Sequence, residues 1–179
     1  MKIRIALVLI IIAALTRLLP HPHNFTPIGA IGLFGAAYFA PRWLAVLAPF
    51  ATLFFTDLFL NNVVYAHLYP GFAWITSWWI YASFLMVIVV GWVFLRGSVS
   101  PARVVAASLT GSVVFFLISN FSVWLGSPVY PQTYAGLLAC YAAGLPFLDN
   151  TILGDLFFSG ALFGGYYWAT RQKFVPVKE

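Results

Sequence analysis

Charge is what this chain has least of. Nine Lys and Arg and four Asp and Glu make 7% charged residues in 179, against about 25% in a soluble globular domain. That is too little polar surface to face water on all sides, so lipid must cover the rest. One cysteine, Cys140, excludes an internal disulfide and any multi-cysteine metal site. No glycine-rich phosphate loop occurs, so no nucleotide site is expected. The basic residues stand singly and form no stripe, so the net charge of +5 does not point to nucleic acid. No metal site and no cofactor is expected.

What is present is apolar: 63% hydrophobic and 19% aromatic residues. The pattern predicts an all-α polytopic membrane helix bundle, a single integral membrane domain over 1–179. Six transmembrane helices are expected: Ile3 to Leu19, Ile28 to Phe39, Trp43 to Val64, Phe72 to Leu95, Arg103 to Leu125 and Thr151 to Thr170. A helix crossing the hydrocarbon core needs about 20 residues, so the second must tilt, thin the bilayer or be partly buried in protein. Tyr134 to Leu145 is a further short apolar segment, expected not to span. No small-x-small cleavage site follows the first segment, which is expected to be retained.

With six spans, Lys2, Arg4, Arg42, Arg96, Arg103, Arg171, Lys173 and Lys178 fall on one side. The positive-inside rule makes that side the cytoplasm and the membrane a bacterial inner membrane, with both termini inside. Five or seven spans would split the charges. The opposite loops hold His21, His23 and His67 and no Lys or Arg. Asp57 and Asp155 then lie roughly 7 to 11 Å deep in the outer third, with Arg17 and Asn120 at similar or shallower depth. An ionisable residue at such depth faces the protein interior or a water-filled cavity. Arg17 is the one cation in range of two carboxylates. The group therefore reads equally as a network that locks helices together and as the floor of an outward-facing cavity. The surplus acid is left for a proton or a cationic ligand.

Other chemistries are less complete. Ile152-Leu153-Gly154-Asp155 resembles in part the motif of intramembrane aspartyl proteases, whose two carboxylates share a proton. Ile152 stands where they have glycine, Thr56 rather than tyrosine precedes Asp57, and no Pro-Ala-Leu occurs. His21-Pro22-His23 supplies two imidazoles, too few for a metal site; it reads better as a rigid turn, with Asn24 or Thr26 capping the second helix and Pro27 in its first turn. Asn24-Phe25 and Asn120-Phe121 open two stretches with features in similar order, a weak internal echo.

Several spaced motifs carry a resemblance over nearly the whole chain: Arg17-Leu-Leu-Pro-His-Pro-His-Asn-Phe-Thr-Pro27, Thr56-Asp57, Ile118-Ser-Asn-Phe-Ser-Val-Trp124, and Tyr134-Ala-Gly-Leu-Leu-Ala-Cys-Tyr141 through Pro146-Phe147 to Gly154-Asp155. Together they resemble an uncharacterised bacterial family of small six-helix membrane proteins. That family is distantly similar to the substrate-binding S-components of energy-coupling-factor vitamin transporters. The resemblance implies a ligand pocket at the outer ends of several helices, vitamin uptake, and an energy-coupling membrane subunit as partner. S-components dock that subunit through a small-xxx-small face on helix one; here Ala6, Ala13 and Ala14 do not have that spacing. A solitary S-component-like group that takes up cobalamin uses a cysteine near the corrin metal, and Cys140 is the residue in question.

The expectation is a protein that binds a small molecule in an outward-facing cavity, for uptake. Its ligand-binding group is Arg17, His21, His23, Asn24, Asp57, Asn61, His67, Asn120, Trp124, Tyr134, Cys140, Tyr141, Asn150 and Asp155. No catalytic residue is assigned. The alternatives are a membrane-embedded hydrolase using Asp57 and Asp155, and a structural or assembly subunit.

Overall fold

In lipid every backbone polar group must be satisfied within its own segment, so apolar stretches of this length become helices. The structure, a computed structural model, describes residues 2–170. Its helices are α1 (Lys2–Thr16), α2 (Ile28–Tyr38), α3 (Arg42–Phe59), α4 (Trp78–Leu95), α5 (Pro101–Gly126) and α6 (Tyr134–Thr170). A π turn, Leu60–Val64, extends α3, and a short 3-10 turn, Ala66–Leu68, follows. Successive helices alternate in direction. The bundle thus has a terminal end, with Lys2 and Thr170, and a distal end, with the α1–α2, α3–α4 and α5–α6 connections. Lys2, Arg4, Arg42, Arg96 and Arg103 lie toward the terminal end; Arg171, Lys173 and Lys178 lie outside the described residues.

Four helical segments are long and apolar enough to cross a membrane: Arg42–Val64, Trp78–Leu95, Pro101–Gly126 and Tyr134–Thr170. The chain is a membrane protein by that measure. Two helices are shorter, α1 with 15 residues and α2 with 11. At 1.5 Å per residue α2 is about 16 Å long, half of the hydrocarbon thickness. Burial in protein resolves its shortness, because all 11 of its residues are buried. It packs on α3, α4 and α6 at once. Small residues permit this: a Cβ at Gly32 would press on Ile88 of α4 at 3.2 Å, and one at Gly35 on the Ala45 backbone of α3 at 3.2 Å. Phe34 is enclosed by the rings of Tyr38, Phe163 and Tyr166, at 4.9, 5.3 and 5.4 Å.

The second pass through the bundle is therefore composite, a loop followed by a half-length helix. Irregular backbone at membrane depth is tolerated where protein covers it. Phe25 packs against Phe157 and Phe158, at 5.8 and 5.5 Å. Gly154 has no side chain, and the Phe25–Thr26 backbone occupies that space. Neither Asn24 nor Thr26 caps α2. Pro27 holds the cap position with no side-chain bond, and Asn24 adopts φ 64° to turn the chain, a conformation asparagine tolerates.

Two boundaries differ from the sequence reading. α4 begins at Trp78 rather than Phe72, capped by the Ser77 hydroxyl, which accepts from the Trp79 N–H at 3.3 Å. Tyr134 to Leu145 is not a separate segment: α6 runs unbroken through Pro146 for 37 residues. The two halves of the echo consequently differ in structure, an isolated buried helix in one and a helix extension in the other.

Candidate functional site

Two buried carboxylates anchor two separate polar clusters. Asp57, 1% exposed, belongs to the buried stripe Leu53, Thr56, Asp57 of α3. Arg17 reaches it from the turn that ends α1, with Nη2 2.7 Å from Oδ1. Oδ1 makes no aligned hydrogen bond, so this contact is an ion pair. Arg17 Nη1 also donates to the Thr56 hydroxyl. Asp57 Oδ2 accepts from the Thr76 hydroxyl at 2.9 Å and the Thr76 N–H at 3.3 Å. One turn on, Asn61 donates to Thr76 Oγ1 at 3.2 Å and accepts from the Tyr69 hydroxyl at 3.2 Å. Asn62 grips Ala73 from both sides, accepting from its N–H at 2.9 Å and donating to its carbonyl at 2.8 Å.

The π turn makes this possible. Its Tyr65 N–H reaches back five residues to the Leu60 carbonyl at 2.7 Å, and such widened turns often mark functional positions. Both asparagines thereby face the irregular strap 69–77. The strap is held to α3 by polar bonds. Asn62→Ala removes two of them, each worth about 0.5 to 1.5 kcal/mol. We expect faster amide exchange at Ala73 and Thr76 with an unchanged rate in the α2 core. Equal protection of the strap in the variant would show that Asn62 does not hold it.

The second cluster surrounds Asp155, 5% exposed on α6. Its Oδ2 accepts from the Ser112 hydroxyl of α5 at 2.6 Å. Ser112 is also 3.0 Å from the Ser108 carbonyl, and Ser108 donates to Ser159 at 2.9 Å. Serines four apart on α5 thus meet an aspartate and a serine four apart on α6. A chamber of about 20 Å³ adjoins the carboxylate, lined by Asn24, Thr26, Gly29, Thr151 and Asp155 and walled by Phe84, Val87 and Phe115. That volume suits one water-sized guest. The side chains of Asn24 and Thr26 make no hydrogen bond among the described residues, and no Lys or Arg lines the chamber.

The expected ligand-binding group is thus distributed. Arg17, Asp57 and Asn61 share one network, and Asn24 and Asp155 share the chamber. Asn120, Cys140 and Tyr141 instead tie α5 to α6, and Trp124 holds the connection between them. Asn120 donates to the Phe116 carbonyl at 2.9 Å and fills the space beside Gly144. Cys140 donates to the Asn120 carbonyl at 3.3 Å, Tyr141 to the Leu117 carbonyl at 2.8 Å and Trp124 to the Pro131 carbonyl at 2.9 Å. His21 bonds the Arg17 carbonyl at 3.1 Å and shapes that turn. His23 meets Phe147 edge-on at 6.0 Å. His67 and Tyr134 are exposed, and Asn150 is half-buried beside the chamber residue Thr151. No group of three His, Cys, Asp or Glu among the described residues could hold a metal ion.

α3 and α6 do not touch, because α2 lies between them. Asp57 and Asp155 accordingly have different partners, and a shared-proton dyad would require them to meet. Sequence reading missed the hydroxyls that complete both clusters: Thr56, Thr76, Ser112 and Thr26. It also missed Tyr81, whose buried hydroxyl has no hydrogen-bond partner among the described residues and lies within electrostatic reach of Asp57 and Arg17. The four-residue spacings Ser108–Ser112 and Asp155–Ser159 were the available signal.

No curated protein and no solved structure matches the chain. Residues 1–177 match one family, described as a family of unknown function, DUF6580. A match over nearly the full length leaves no part of the bundle outside it, and the chain belongs to that uncharacterised family.

Proposed function

We propose that the protein binds a small polar molecule from the distal end, as the first step of its uptake. The observation that carries this reading is the Asp155 chamber: a buried carboxylate without a basic neighbour, beside two polar side chains with no protein partner. Of the three only Asp155 is buried, Asn24 being exposed and Thr26 half-buried, and a buried carboxylate without a counter-charge is costly. A ligand with a hydrogen-bond donor or a cationic group would satisfy all three. The orphaned Tyr81 hydroxyl supports the same reading on the other side of α2.

The chamber holds only a water-sized guest as it stands, so a larger ligand requires the distal loops to part. The loop 17–27, which lines the chamber through Asn24 and Thr26, is the element that would move. The distal end is the outer side by the positive-inside rule, since Lys2, Arg4, Arg42, Arg96 and Arg103 lie at the other end. Uptake in the manner of S-components, with an energy-coupling membrane subunit, is the form this function takes if the distant resemblance holds. Among the described residues α1 directs Ala6 and Ala13 inward, so a coupling subunit would have to dock elsewhere than on those small residues.

The test is Asp155→Asn, which preserves shape and removes the charge. Mass spectrometry of small molecules that co-purify in mild detergent should show a compound retained by the natural protein and reduced about tenfold or more in the variant, the loss of one charged hydrogen bond. Thermal unfolding should be nearly unchanged. A variant that unfolds early would favour a purely structural carboxylate, and equal retention would remove the chamber from the binding site.

A further inference from the structure

A second and larger cavity opens at the opposite end of the bundle, between the start of α1, the end of α2 and the last turns of α6. Its volume is about 490 Å³, within the range of ligand sites in proteins. Its walls are apolar, with Ile3, Ala6 and Phe39 among them, and three polar groups enter it: Lys2, Tyr38 and Tyr166. The two tyrosines are 7% and 6% exposed, with rings 4.5 Å apart. Neither phenol hydroxyl has a hydrogen-bond partner among the described residues, so both are left for whatever fills the cavity that the two residues line. Ring packing holds the rings and not the hydroxyls: Phe34 meets both tyrosines and Phe163 meets Tyr38.

The three groups are of one kind. An ammonium and two phenols can all donate, and no Asp or Glu among the described residues lines the cavity. The site therefore calls for an anion with several acceptor oxygens, attached to something apolar that fills the remaining volume. The cavity lies where α1 begins and α6 ends, the level at which headgroups meet a bundle that crosses a bilayer. Basic pockets between transmembrane helices bind anionic headgroups on this principle.

We propose that this cavity holds one anionic phospholipid, its phosphate received by Lys2, Tyr38 and Tyr166 and its proximal acyl chain lying along Ile3, Ala6 and Phe39. The bound lipid ties α1 to α2 and α6, where α1 otherwise packs mainly on α6. The inference does not rest on the uptake reading; it requires only that the helices cross a membrane.

The experiment compares the natural protein with Tyr38→Phe/Tyr166→Phe and with Lys2→Gln, each reconstituted in phosphatidylglycerol or phosphatidylcholine and returned to detergent. Phenylalanine keeps both rings, so the aromatic packing survives. Native mass spectrometry should show one phosphatidylglycerol retained by the natural protein and no comparable phosphatidylcholine. Retention should fall about tenfold without the two hydroxyls and about fivefold without the lysine, as expected for the loss of such bonds. Thermal unfolding should show stabilisation by phosphatidylglycerol in the natural protein alone. Equal retention of both lipids, undiminished retention in the tyrosine variant, or the same stabilisation by inorganic phosphate would each overturn the proposal.

Discussion

Arg17→Met is expected to destabilise the fold by about 3 to 5 kcal/mol, the cost of leaving a buried charge without its partner. Asp57 is 1% exposed and Arg17 is 14% exposed, so water cannot readily replace the guanidinium. The remaining donors, Thr76 Oγ1 and N–H, both serve Oδ2, which leaves Oδ1 with nothing. At roughly 2 to 4 °C per kcal/mol for a chain of this size, the unfolding midpoint in detergent should fall by about 6 °C or more. Asp57→Asn in the same chain should restore much of the loss, because an amide keeps an acceptor for Thr76 and carries no charge. If Arg17→Met melts within a degree or two of the natural protein, the ion pair does not hold α1 against α3.

Gly29→Ala is the second large effect, and its sign runs against helix propensity. Alanine in a helix interior is ordinarily worth about 1 kcal/mol over glycine, and Gly29, in the first turn of α2, would gain at most that. Here the added Cβ collides with Asp155 Oδ1. The carboxylate cannot retreat easily, because Ser112 holds its other oxygen at 2.6 Å. α2 cannot shift either, since Gly32 and Gly35 already bring it against α4 and α3. Overpacking of this kind typically costs about 1 to 3 kcal/mol, which outweighs the propensity gain. In an Asp155→Ala background the collision vanishes, and the same change should become neutral or stabilising. Thermal unfolding of the four chains tests this as a double-mutant cycle. A stabilising Gly29→Ala in the natural background would mean that the carboxylate has room to move and does not define the chamber.

The class of this protein was legible because composition alone decides it: so few charges cannot cover a water-facing surface. That Arg17 would meet a carboxylate was legible for a related reason, since only one cation was in range; the sequence put Asp155 in the same network, and the structure pairs Arg17 with Asp57 alone among the described residues. Helix ends were less legible. Pro146 reads as a break, yet the cost of a proline inside a helix depends on what surrounds the freed carbonyl, and α6 continues through it.

Sequence by itself thus determined the medium, the chain's reversals and the places where polar atoms would be scarce and important, because these follow from the free energy of single side chains in lipid. Only tertiary structure decided that α2 is a half-length helix enclosed on every side, that it separates Asp57 from Asp155, and that Thr76 and Ser112 complete the two clusters. Those outcomes depend on which helices come to lie side by side, and residues 19 to 43 positions apart meet through packing that no local pattern of the chain encodes.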